Sequence, residues 1–409
     1  MSAQDTQNFL AARAKVIKPS PSMAAKMRVD RLRAEGRDIV DFTVGEPDMD
    51  TPAHIVEAGI EAMRSGKTRY TGAAGTPALL KAVQTKFRRE NALDYGLDQI
   101  VAGSGAKQLI FTAFAVSVEQ GDEVIIPAPY WVSYPDMVLV NDGKPVIVPC
   151  GEDVGFKLTP AALEAAITPR TKWVILNTPS NPTGAIYSEA ELRALGAVLA
   201  RHPQVWVLTD EIYEHLSYGD TAPVSIATLS DDLYARTLTV NGVSKAYAMT
   251  GWRLGYAGGP TPLIRAMVTM ISQSTSCVSA ISQAAAVVAL MSDQACVGQA
   301  AAIFKQRRDR IVQLLNAVPG VRCAQPDGAF YVYPNVGGLL GRRTPAGAVL
   351  NNDLDVVMYL LEEAGVALLD GAAYGVSPYL RLSFATSMEQ IEEGCARIAR
   401  ACATLTAAA

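Results

Sequence analysis

Basic side chains gather nowhere in this 409-residue chain into a stripe interleaved with aromatics: 36 lysines and arginines stand against 40 acidic residues, a net charge of −4, and aromatics make up 7%. Nucleic acid is therefore a poor candidate partner. No window reaches the roughly 18 uncharged apolar residues needed to span a bilayer. The opening MSAQDTQNFLAARAK carries an early acid and no continuous apolar stretch, so a signal peptide is not expected and a cytoplasmic location follows by default. The six cysteines (Cys150, Cys277, Cys296, Cys323, Cys395, Cys402) form no CxxC pair, and none of the three histidines stands near them at metal-ligand spacing. Neither a disulfide framework nor a metal site is expected, and buried thiols in a reducing compartment are. No G-x-G-x-x-G opens a helix, which argues against a dinucleotide-dependent oxidoreductase. Internal repeats are missing too.

What is present is a long, evenly mixed globular composition, 49% hydrophobic and 19% charged, too long for one core of ordinary size. From residue 38 to about 258, short β-rich runs alternate with amphipathic stretches, the pattern of a mainly parallel sheet covered by helices. Strands are expected at Gln99–Val101, Glu123–Pro127, Lys172–Asn177, Val205–Thr209, Thr237–Val240 and Arg253–Ala257, with helices at Lys107–Glu119, Ser188–Arg201 and, as one long element, Thr261–Met291. A further helical run, Asp293–Ala317, ends at the breaker Val318-Pro319-Gly320. Beyond it, strands at Ala329–Tyr333, Val366–Leu368 and Tyr379–Ser383 and helices at Asp353–Ala364 and Ser387–Thr404 suggest a smaller α+β domain, and Ala407–Ala409 reads as frayed. The expected division is an N-terminal segment, 1–45, packing with a small domain, 318–409, and a large domain, 46–317.

Parallel sheets bind ligands at the carboxyl ends of their strands, and the chemistry-bearing strings lie there. Lys245, in Gly242-Val243-Ser244-Lys245-Ala246, follows a strand among small residues that leave room for a bulky group. A desolvated, cation-rich setting depresses a lysine's proton affinity enough for it to attack a carbonyl. The apolar run 205–209 exits into Asp210-Glu211-Ile212-Tyr213, placing a carboxylate able to hold a pyridine nitrogen protonated beside a phenol able to bond a ring oxygen; taken alone, the same string reads as a helix cap with a core tyrosine. Asn177–Gly184, with its proline breaks, is a fixed extended turn that holds Asn181 toward a ligand. Gly103-Ser104-Gly105-Ala106-Lys107 opens a helix after a strand and offers N–H groups to an anion, which Ser244 and Arg253 complete as a phosphate cup. Ser104–Lys107 also satisfies S-x-x-K, but the S-D-N and K-T-G strings of serine acyl-enzymes are missing. Arg381, in Tyr379-Leu380-Arg381-Leu382-Ser383, suits a bidentate clamp on a carboxylate or, blandly, a water-facing edge.

Tyr70, Gly105–Lys107, Pro129-Tyr130-Trp131, Asn177–Gly184, Asp210–Tyr213, Ser244-Lys245 and Gly251-Trp252-Arg253-Leu254-Gly255-Tyr256 together resemble the class I aminotransferases of pyridoxal-phosphate fold type I, over residues 12 to 404. Lys18-Pro19-Ser20, Gly45-Glu46-Pro47-Asp48, Pro129–Tyr134 and Met249–Arg253 are similar to the bacterial aspartate aminotransferases also found as prephenate aminotransferases. The resemblance implies a seven-stranded, mainly parallel large-domain sheet and pyridoxal phosphate held as an imine on Lys245. In it Asp210 pairs with the ring nitrogen, Tyr213 and Asn181 bond the 3-oxygen, and Trp131 stacks on the ring. Gly105, Ala106, Lys107, Ser244 and Arg253 hold the phosphate, and Tyr70 reaches the phosphate of a neighbouring subunit in a homodimer. Arg381, with Gly45, Trp131 and Asn181, holds the substrate α-carboxylate, and Lys107 contacts a distal carboxylate. Aspartate with 2-oxoglutarate ranks first as substrate pair. Ser22 stands where relatives often carry threonine, and prephenate or aromatic 2-oxo acids rank second.

Overall fold

The computed structural model describes residues 9–11, 13–17, 21–219 and 223–407; Lys18-Pro19-Ser20, the side chain of Ser22 and Ala408–Ala409 lie outside the described residues. A short strand, β1 (Val40–Asp41), precedes the seven strands of the main sheet: β2 (Ile100–Gly103), β3 (Glu123–Ala128), β4 (Lys144–Pro149), β5 (Thr171–Asn177), β6 (Trp206–Asp210), β7 (Thr237–Gly242) and β8 (Gly255–Gly258). Their order is β2-β8-β7-β6-β5-β3-β4. β8 runs antiparallel to both neighbours and the remaining pairs are parallel. Central strands β5 to β7 are buried on both faces along almost their whole length, as expected where helices cover each side of a parallel sheet. Their register aligns Asn177 with Asp210 and Asp210 with Val240, so the exits of β5, β6 and β7 open at one edge.

The expected large-domain elements form with shifted ends, and three departures have physical reasons. β4 went unread because Lys144-Pro145 and Pro149 do not look like strand; β4 is the sheet's edge, where proline is tolerated. The single helix expected over 261–291 is two, Thr261–Ser274 and Ala280–Met291. Between them Ser276 adopts φ +63°, and Ser279 Oγ accepts from Ser282 N to start the second helix. Arg253 leaves the strand expected over 253–257 by taking φ +52°, so β8 begins two residues later. Helices Ala53–Arg64 and Pro77–Asn91, not anticipated, pack with Ala280–Met291 around Ile55, Leu79, Phe87, Ala286 and Leu290.

After the long helix Ala295–Asn316 come β9 (Tyr331–Val332), β10 (Arg342–Arg343), β11 (Val366–Ala367), β12 (Leu369–Asp370), β13 (Leu380–Ser383) and β14 (Thr406–Ala407), with helices Asp353–Ala364 and Met388–Ala403. β12, β13 and β9 form an antiparallel sheet, and β11 pairs in parallel with β1. The strand expected over 366–368 is thus shortened to Val366–Ala367, and after Leu368 the chain enters β12 on a different partner. Gly365 ends the 353–364 helix at φ +62°, and a Cβ there would lie 2.7 Å from Asp38 O, so only glycine lets the N-terminal segment dock so closely. Ala407, expected to fray, is tied by β14 to β10. Among the described residues no single helix is long and apolar enough to cross a membrane.

Candidate active site

At the shared exit of β5, β6 and β7 lies a cavity of about 460 Å³ whose walls include Gly45, Ala106, Lys107, Trp131, Asn181, Asp210, Tyr213, Ser244, Lys245, Arg253 and Arg381. Of the site residues named from sequence, Gly105 sits at the rim against Arg253, and Tyr70 is 89% exposed and not part of the wall.

Lys245 Nζ donates to Gly45 O at 2.5 Å and lies 5.7 Å from the ring centres of both Tyr213 and Phe330. Burial lowers its proton affinity from an ordinary 10.5 to about 8; Glu46 opposes that shift, while Arg381 and Arg253 add to it. Asp210 ends β6 with its carboxylate fixed by Tyr134 Oη at 2.7 Å and Ile212 N at 3.3 Å. Burial raises that carboxyl to about 6 against the pull of those two donors and Lys245. Tyr213 meets Tyr331, phenol to phenol, at 2.9 Å. Asn177 Nδ2 donates to Asp210 O while its Oδ1 accepts from Asn181 N, locking the β5 turn to the β6 exit.

Two anion-seeking regions flank this centre. On one side Gly105, at φ +88°, caps helix Ala106–Ala115, whose first-turn N–H groups lack helical partners. A Cβ on Gly105 would come 2.5 Å from Arg253 Nη2, so glycine is what lets that guanidinium reach the helix start. Arg253 is itself oriented by Thr250 O and Ser104 O. On the other side Arg381, only 3% exposed, does not face water. It donates to Thr43 O at 2.6 Å and, at 3.4 Å, to Asn181 Oδ1, stacks 4.5 Å over Tyr331, and has its Nε buried without a partner. Lys107 Nζ stands 4.7 Å over the Trp131 ring, its proton affinity lowered by burial and then by Arg253. Among the described residues none of Lys107, Lys245, Arg253 and Arg381 has a carboxylate within ion-pair distance. Four cations around one cavity, none of them in an ion pair with a protein carboxylate, make a receptor for anions.

Sequence reasoning passed over Tyr134, Tyr331, Thr43, Glu46 and Lys26, all of which line the cavity. Tyr134 carried a usable signal, since Ser133-Tyr134 belongs to the quoted Pro129–Tyr134 string. Tyr331 is hidden in an apolar strand pattern with no polar neighbour to mark it.

Residues 37–398 match the family model described as aminotransferase class I and II. An aspartate/prephenate aminotransferase of Cereibacter sphaeroides is 52% identical over 390 residues, 95% of this chain and 98% of that one. An aspartate aminotransferase of Rhizobium meliloti is 51% identical over 379 residues, covering 93% and 92%. Among solved structures, an aspartate aminotransferase from Rhizobium meliloti superposes with TM-score 0.95 at 50% identity over 97% of this chain and 99% of that one. The Thermus thermophilus aspartate aminotransferase with maleate does so with TM-score 0.90 at 39% identity, over 96% and 99%.

Proposed function

The chain belongs to the class I and II aminotransferases, and within that family we propose that it moves an amino group between L-aspartate and 2-oxoglutarate with pyridoxal phosphate held at Lys245. The carrying observation is the cavity in which a half-buried lysine, a buried aspartate and a buried arginine with an unpartnered Nε face one another. The donor set suits that cofactor. Gly105, the Ala106 and Lys107 N–H groups, Ser244 and Arg253 fit its phosphate, Asp210 its ring nitrogen, Tyr213 and Asn181 its 3-oxygen, and Trp131 its ring face.

Pyridoxal phosphate, when bound, supplies a carbonyl carbon for the amine and a ring that accepts the electron pair left when the substrate Cα loses a proton. Lys245, part neutral near pH 8, is the base that takes the Cα proton and returns it one atom away. Asp210 keeps a proton on the ring nitrogen, its own carboxylate steadied by Tyr134. Arg381 clamps the substrate α-carboxylate, satisfying its orphan Nε, and Lys107 receives the distal carboxylate of aspartate. The named aspartate aminotransferases among the relatives support that substrate; prephenate, in the name of one relative, is the second reading.

Tyr70 projects into solvent and fits the neighbouring subunit's phosphate in a homodimer. The division into 46–317 and 318–409 with 1–45 is supported by the pairing of β1 with β11, although helix Ala295–Asn316 reaches into both cores. The reading is tested by following the loss of cofactor absorbance with a panel of amino acids. Aspartate and glutamate should react fastest, and initial rates with 2-oxoglutarate should give parallel double-reciprocal lines. Intersecting lines, or no reaction with dicarboxylic amino acids, would rule it out.

A further inference from the structure

Tyr331 touches both halves of the site. It is 1% exposed, in β9; its Oη lies 2.9 Å from Tyr213 Oη, its ring lies 4.5 Å beneath the Arg381 guanidinium, and a Cβ on Gly45 would come within 3.3 Å of its oxygen. Each phenol has one proton to give. When Tyr213 spends its proton on an acceptor in the cavity, the bond between the two phenols can be made only with Tyr331 as donor. We propose that Tyr331 is a positioning residue that donates to Tyr213 Oη, so that the Tyr213 O–H is aimed at the cofactor's 3-oxygen, bonds it more strongly, and makes Lys245 Nζ release its proton at lower pH than beside a lone tyrosine. This rests on the reading of Tyr213 and Lys245 given above.

A hydrogen bond to an oxyanion favours the charged form, so Tyr213 favours the state in which Lys245 Nζ has lost its proton and the ring oxygen is negative. A phenol that accepts one hydrogen bond donates a stronger one. The groups facing Tyr213 are Asp210, Lys245, Tyr331, Arg381 and Tyr134, and those facing Lys245 are Glu46, Arg381, Arg253 and Asp210. Tyr331→Phe removes one oxygen, keeps the ring beneath Arg381 and changes none of those charges.

The test is a spectrophotometric pH titration of the holoenzyme, using the colour change that accompanies proton loss at Lys245, in wild type, Tyr331→Phe, Tyr213→Phe and the double variant. In Tyr331→Phe the midpoint should rise by about half a pH unit. It should rise further in Tyr213→Phe and gain nothing more when Tyr331→Phe is added, because the bond being strengthened is already gone. The KM for aspartate should change less than about twofold, since Arg381 keeps its support. A wild-type midpoint in Tyr331→Phe alongside a shifted one in Tyr213→Phe overturns the proposal. So does a Tyr331→Phe shift that survives in full without the Tyr213 hydroxyl. An unmoved midpoint in Tyr213→Phe overturns the reading of Tyr213 and the proposal with it.

Discussion

Burial and two arginines hold the Lys245 amine at a proton affinity where it is chemically useful and structurally costly. Its folded value, about 8, lies below the unfolded 10.5, so the folded chain binds fewer protons between those values. The destabilisation is therefore full below pH 8 and lifts as pH rises toward 10.5, amounting to about 3 kcal/mol at neutrality. The cofactor-free Lys245→Met variant should melt above the cofactor-free wild type at pH 7, with the gap closing by pH 10; a pH-independent gap in thermal scans would contradict this. Arg381 offers a second residue-scale test. Lysine cannot reproduce a planar two-point clamp, so Arg381→Lys should lower kcat/KM for aspartate by about 30- to 1000-fold, the range for weakening a buried charge pair by 2–4 kcal/mol. A change under fivefold in steady-state kinetics would remove Arg381 from the α-carboxylate.

The elements are pinned to one another by a buried ionic network behind the site. Lys86, fully buried on helix Pro77–Asn91, pairs with Glu214 in the turn after β6, and Glu214 also accepts from Asn91 and, at 2.8 Å, from Asn241 on β7. Burial alone would raise the Glu214 carboxyl, but Lys86 and His215 outweigh it and hold it below its ordinary value. One carboxylate thus ties the turn bearing Tyr213 to the strand leading to Lys245. Lys86→Met strands that charge and should cost about 3–5 kcal/mol, whereas adding Glu214→Gln should recover much of the loss; thermal melts that fail to show recovery would reject the pairing. Such a network illustrates what sequence conceals. Lys86 in Pro77–Asn91 looks like any surface lysine of an amphipathic helix, because its local partners Glu90 and Asn91 are ordinary helix neighbours and its long-range partner Glu214 stands 128 residues away. Lys245, Asp210, Asn181 and Arg253 were legible because their strings, each ordinary when taken alone, occur together in one order next to strand ends of a parallel-sheet pattern. Tyr331 looked like core, and it is core as well as wall. The break at Ser276 was missed because 274–279, Ser-Thr-Ser-Cys-Val-Ser, has neither glycine nor proline.

Across the whole molecule, helix Ala295–Asn316 begins in the core under the main sheet at Val297 and ends in the C-terminal core at Phe304, Ile311 and Leu315. Arg381 comes from the C-terminal sheet and Lys245 from the main one, so the site exists only where the two meet. A homodimer that lends Tyr70 across its interface predicts complementation. Mixing inactive Tyr70→Ala and Lys245→Ala subunits should regenerate one complete site per heterodimer and a measurable fraction of wild-type activity, whereas no recovery from exchanged subunits would confine each site to its own chain. The central claim is that Lys245 carries the cofactor. Its most direct measurement is borohydride reduction of the purified yellow enzyme followed by peptide mass spectrometry. The account predicts that colour is lost and a single stable adduct of reduced pyridoxal phosphate appears on the peptide containing Lys245. An adduct on another lysine, or full transamination by a colourless Lys245→Ala variant, would contradict it.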